Sequence, residues 1–186
     1  MCCRQHKNAN IMKKLRVGFL AFAFLALASA TGLAQPGNLP SWKVIAEGGA
    51  NVEIALAATP PLLNKQNTNA LQITVKQNGT RSGIGCADMG IKKLETGQWY
   101  DLSFDARTDT PKTFALTASL ESPDGKTVFA RTTLPEVGGT NWAHYSVALH
   151  IRQPSAKCRM VITLADTGSI WLNGISFVLR KTTATN

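Results

Sequence analysis

Histidine is scarce in this sequence: there are three in 186 residues, and only His144 and His150 come after residue 34. Neither sits in a Ser, Cys or metal motif, and no Gly-rich phosphate loop precedes a helical pattern. A nucleophile, base and orienting group therefore have no visible representatives. The one enzymatic arrangement left open is a pair of carboxylates facing across a cleft. Acids are also few, 11 against 20 Lys and Arg, and convincing helical periodicity is missing. Only one apolar run is long. At about 12 residues it is too short to cross a bilayer of roughly 30 Å as a helix.

That run, Val17 to Ala28, follows Arg4, Lys7, Lys13, Lys14 and Arg16, and residues 1–34 hold no acid. A basic segment, an apolar run and then small residues make a removable export signal. Cleavage after Ala30 and after Ala34 fit equally well. Met12, just before Lys13 and Lys14, is the expected start. Cys2 and Cys3 precede the apolar run, so neither is a lipobox cysteine, and no lipid anchor or membrane span is expected. The expected location is secreted or periplasmic. The signal holds five of the 20 basic residues and none of the acids, so its removal takes the net charge from +9 to +4. The remaining Lys and Arg are scattered and do not cluster with aromatics, which argues against nucleic acid as a partner.

Two cysteines remain, Cys86 and Cys158. In an oxidising compartment they can pair, or they can sit as two small apolar thiols, and spacing does not choose between these. Without nearby His partners they make a poor zinc site, so no metal is expected.

Residues 35–40 read as a linker, 41–180 as one folded domain and 181–186 as a flexible tail. Within the domain, nine short segments rich in β-branched and aromatic residues alternate with turn signals. They are Val52 to Ala58, Leu71 to Lys76, Gly83 to Met89, Trp99 to Arg107, Phe114 to Leu120, Thr127 to Thr133, Trp142 to Ile151, Cys158 to Leu164 and Ile170 to Leu179. The turns carry Asn78-Gly79, Pro123-Asp-Gly125, Gly138-Gly139 and Thr167-Gly168. Alternation is clearest where Tyr100, Leu102, Phe104 and Ala106 share one face while Asp101, Ser103, Asp105 and Arg107 share the other. The fold class is all-β, a single two-layer β-sandwich with polar outer faces.

Four stretches carry a family likeness. They are Gly83-Ile-Gly with Met89-Gly-Ile-Lys-Lys, Thr96-Gly-Gln-Trp-Tyr-Asp-Leu-Ser-Phe-Asp-Ala-Arg107, Ala118-Ser-Leu-Glu-Ser-Pro-Asp-Gly-Lys126 and Thr167-Gly-Ser-Ile-Trp-Leu-Asn-Gly-Ile-Ser-Phe177. In this order the chain resembles the galactose-binding-like, jelly-roll carbohydrate-binding modules found beside glycoside hydrolases. In particular it resembles the accessory β-sandwich of α-L-arabinofuranosidases, from about Trp42 to Leu179. The resemblance implies a secreted, non-catalytic module for plant-type or cell-surface polysaccharide, with a glycoside hydrolase acting alongside. The alternative is an exported structural or adhesion domain on the same scaffold. There are two departures from the pattern. Asp88-Met89 stands where such modules often carry an aromatic. Asn173 replaces an Asp of the last strand, which leaves a structural Ca²⁺ only weakly supported and no cofactor expected.

Sugar binding needs a flat aromatic face for the apolar side of a pyranose, with carboxylates, amides and Arg for its hydroxyls. Trp99 lies on the opposite parity from Tyr100, Leu102 and Phe104, beside a turn, and is the best exposed aromatic. Asp101, Asp105 and Arg107 share its face, with Glu121 and Arg131 as candidate neighbours. Trp142 and Trp171 read as core.

Overall fold

The computed structural model describes residues 42–58, 69–87, 89–91 and 93–180. The export signal at 1–34, the linker at 35–40, Asp88 and the tail at 181–186 lie outside the described residues.

Among the described residues ten strands are formed: β1 (Trp42–Glu47), β2 (Asn51–Ala58), β3 (Asn69–Gln77), β4 (Arg81–Cys86), β5 (Trp99–Thr108), β6 (Thr113–Glu121), β7 (Val128–Gly138), β8 (Ala143–His150), β9 (Arg159–Leu164) and β10 (Gly168–Leu179). They build two five-stranded antiparallel sheets. The first runs β1-β4-β9-β6-β7 and the second β2-β3-β10-β5-β8. Every expected segment contains a strand, although the one expected from Gly83 to Met89 leaves the ladder after Cys86. The stretch opening at Trp42 adds a tenth, and the segment expected at Thr127 to Thr133 continues to Gly138. Pro135 hid that extension, because proline cannot donate to a ladder. It is tolerated because β7 is the edge strand of its sheet, and a register shift lies between Phe114 and Leu116 of its partner.

β5 shows why the sandwich forms. Its residues alternate in exposure along the whole strand, with Tyr100, Leu102, Phe104, Ala106 and Thr108 inward. Leu102, Phe104 and Ala106 meet Leu116, Ala118 and Leu120 of β6 and Ile84, Met160 and Ile162 of β4 and β9 in one core. The two sheets thus bury a continuous apolar layer, the main stabilising term of such a fold. Its polar exceptions are partnered: Thr108, 1% exposed, accepts from the Gly139 N–H at 3.0 Å and donates to the carbonyls of Thr110 and Lys112. This ties the β5–β6 turn to the β7–β8 turn. The Tyr145 hydroxyl accepts from the Gly138 N–H at 2.9 Å and closes the same end.

Cys86 and Cys158 are not joined by a disulfide. Cys86 pairs with Met160, which puts Cys158 diagonally across the β4–β9 ladder. Diagonal Cα atoms stand about 7–8 Å apart, beyond the usual reach of a bridge. Burial pushes the Cys158 thiol up to about 11, so it stays protonated at neutral pH.

Candidate functional site

The second sheet gathers four of the six candidate residues. Trp99, Asp101, Asp105 and Arg107 all fall on the outer parity of β5, between β10 and β8. Trp99 is 39% exposed. Opposite it on β8 stands His150, stacked at 4.5 Å between ring centroids. On the β10 side, the Arg180 guanidinium carbon lies 5.8 Å from the Trp99 ring. The Trp99 ring therefore has a neighbour on each flank, which limits its use as an open stacking platform.

The polar groups between the two ends of β5 are also engaged. Asp101 accepts from Arg180, whose Nε lies 3.1 Å from both carboxylate oxygens. Those hydrogen bonds hold the exposed Asp101 carboxyl below its usual range. Asp105 lies 2.8 Å from Nδ1 of His144, its direct cross-strand partner on β8.

At the far end of the strand, Arg107 is gripped by aromatics. Its guanidinium carbon is 5.2 Å from the Trp171 ring on β10 and 5.7 Å from the Trp142 ring just before β8. Trp171 is the direct register partner of Arg107. Both tryptophans were expected in the core, yet each is only part-buried and faces Arg107. The reason for Trp171 is a register shift in β10 between Asn173 and Ser176, around Gly174 at φ +59°. Strict alternation would put Trp171 on the same side as Ile175 and Phe177, which do pack on the core. The bulge reverses the parity, so Ile170 and Leu172 point in and Trp171 points out. The Asn173-Gly174 pair was the sequence signal for it.

Glu121 and Arg131 do not join this face. Both belong to the first sheet, on β6 and β7. Glu121 is 1% exposed. Its carboxylate accepts from Arg81 Nη2 at 2.8 and 2.9 Å, Arg159 Nη2 at 3.3 Å and the Ser119 hydroxyl at 2.7 Å. Burial alone would raise its pKa, but the bonds from Ser119, Arg81 and Arg159 outweigh it and lower the value. A carboxylate so enclosed is a structural counter-ion, not a ligand group. Arg81 begins β4 and reaches Glu121 at the end of β6, on the far side of β9. Arg131, by contrast, is exposed beside this network.

The first sheet also borders a cavity of about 220 Å³ lined by Asn78, Thr80, Arg81, Thr117 and Thr163, with no aromatic in its wall. Among the described residues, no three His, Cys, Asp or Glu side chains cluster as a metal site.

No family model matches this sequence, and no curated protein matches it. Solved structures do match. An arabinose-bound α-L-arabinofuranosidase, MgGH51, has a TM-score of 0.65 and 19% identity over 77% of this chain and 25% of its own. This chain thus spans a quarter of that enzyme's length. The xylan-binding CBM22-1 domain of Paenibacillus barcinonensis matches at TM-score 0.53 and 15% identity, over 75% of this chain and 86% of its own. A family 11 carbohydrate-binding module of Clostridium thermocellum matches at TM-score 0.51 and 13% identity, over 77% of this chain and 90% of its own. The chain has the jelly-roll sandwich of these modules. At such identities the likeness is one of fold.

Proposed function

We propose that this chain is a secreted, non-catalytic carbohydrate-binding module whose ligand is an extended plant-type or cell-surface polysaccharide. The observation that carries this reading is the row on the outer face of the second sheet. Trp99 and His150 at one end and Trp142, Arg107 and Trp171 at the other are joined by Asp101, Ser103 and Asp105 along β5. From Trp99 to Arg107 this row runs about 26 Å at the usual rise per strand residue. A row of that length suits a chain of sugars lying along it, stacked at the aromatic ends and hydrogen-bonded between them.

The fold likeness supports the same reading, since the matched modules bear names that state xylan or other carbohydrate binding. The basic and apolar pattern of residues 1–34 supports export to where polysaccharides are met. A glycoside hydrolase acting alongside is the expected partner.

A second reading, a structural or adhesion domain without sugar binding, draws on the neighbours that Trp99 and both aspartates already have. Affinity electrophoresis against xylan, arabinan and mixed-linkage β-glucan separates the two. Retardation by at least one glycan, lost in Trp171→Ala, supports the binding module. A Trp171→Ala protein that remains folded and is retarded as strongly as the parent would move the site off this face, and no retardation in any gel would favour the second reading.

A further inference from the structure

We infer that the glycan taken by this face carries an anionic group, a carboxylate or a sulfate, and that Arg107 receives it between Trp142 and Trp171. The inference rests on the binding reading above and names the chemical class of its ligand.

The argument begins with charge on the face. Asp101 is paired with Arg180, and Asp105 lies 2.8 Å from Nδ1 of His144. Lys76 on β3 is paired with Glu53 on β2. Arg107 makes no hydrogen bond or ion pair with any described acid, and its Nε is buried without a hydrogen-bond partner. Among the described residues of this face it is the cation left without an anion.

Its setting favours one. Two indole rings flank the guanidinium at 5.7 and 5.2 Å. They stand on its β10 and β8 sides, and with Nε buried the direction left for a partner is through the Nη edge. An in-plane approach is the geometry by which guanidinium takes a carboxylate or sulfate with two parallel hydrogen bonds. The indoles also lower the local dielectric, which strengthens the attraction for an anion over that of a bare surface arginine. The Nε1 of Trp142, likewise buried without a partner, is a donor beside the same group. A neutral sugar can stack on these indoles but leaves the charge uncompensated. An acidic sugar satisfies both.

The test compares glycans that differ in charge. Affinity electrophoresis of the whole protein is run in polygalacturonate and in its methyl-esterified form, and in dextran sulfate and in dextran, with the parent protein, Arg107→Gln, Arg107→Lys and Arg131→Gln. Arg131 is exposed on the opposite sheet and reports non-specific attraction to polyanions. The expected result is retardation by an acidic member at least tenfold stronger than by its neutral counterpart. Arg107→Gln should lose most of that preference, Arg107→Lys should regain only part of it, and Arg131→Gln should keep it. The arm that retards distinguishes carboxylate from sulfate. Near-ultraviolet circular dichroism establishes that the Arg107 variants keep their indole environment, and Arg107→Lys reads the role if Arg107→Gln does not fold.

Equal retardation by charged and neutral members of both pairs overturns the inference while leaving sugar binding standing. So does an equal loss in Arg131→Gln and Arg107→Gln. If no glycan in these gels or in the neutral panel retards the protein, the binding reading itself falls and takes the inference with it.

Discussion

Trp171 stands directly across the β5–β10 ladder from Arg107, with its ring 5.2 Å from the guanidinium carbon. The bulge at Asn173 to Ser176 turns that ring outward, so the pair exists only because the strand breaks its alternation. Replacing Trp171 by Ala removes a cation–π contact and part-buried ring area, a loss of about 1–3 kcal/mol in urea unfolding. Trp171→Phe should recover part of it.

Glu121 gives the largest expected effect on stability. It is enclosed by Arg81, Arg159 and Ser119. Glu121→Ala leaves two guanidinium groups without their shared counter-ion and should cost about 3–5 kcal/mol by urea unfolding. Arg131→Ala, on the exposed neighbouring strand, should stay within about 0.5 kcal/mol.

Glu121 also sets a pH dependence. Its folded pKa is lowered from the ordinary 4.5. The unfolded chain therefore binds the proton more readily, and the stability from this group is fully present above pH 4.5 and lost as pH falls through the lowered folded value. Melting temperature followed from pH 6 to pH 3 should fall, with a shallower fall in Glu121→Gln. Identical slopes for the two proteins would show that another carboxylate controls the acid limb.

The thiols give a chemical check on the core. With its pKa raised to about 11 by burial, Cys158 should react only slowly with iodoacetamide at pH 8 in the folded protein, and quickly in urea. Electrophoresis without reductant should show no internal bridge between Cys86 and Cys158. A bridged species would require the β4–β9 ladder to draw the two strands closer at this end than its diagonal pairing does.

The alternation of β5 made its strand, its core face and its polar face legible from residue types alone, and the structure keeps all three. Position across sheets was not legible in the same way. Glu121 and Asp105 both look like outward acids on alternating strands, and only the sheet order separates them. Trp171 failed for a different reason, since one inserted bulge inverts every later parity in its strand. The groups around Trp99 were hidden because His150 and Arg180 come from β8 and from the end of β10, far away in sequence.

The central claim, that the outer face of the second sheet holds the glycan, is tested most directly by amide chemical-shift mapping of the labelled protein titrated with the glycan that retards it most. The account predicts shifts concentrated on β5, β8 and β10, with the Trp142 and Trp171 indole N–H signals among the largest. Shifts concentrated instead on Thr117, Arg131, Thr133 and Thr163 of the first sheet would contradict it.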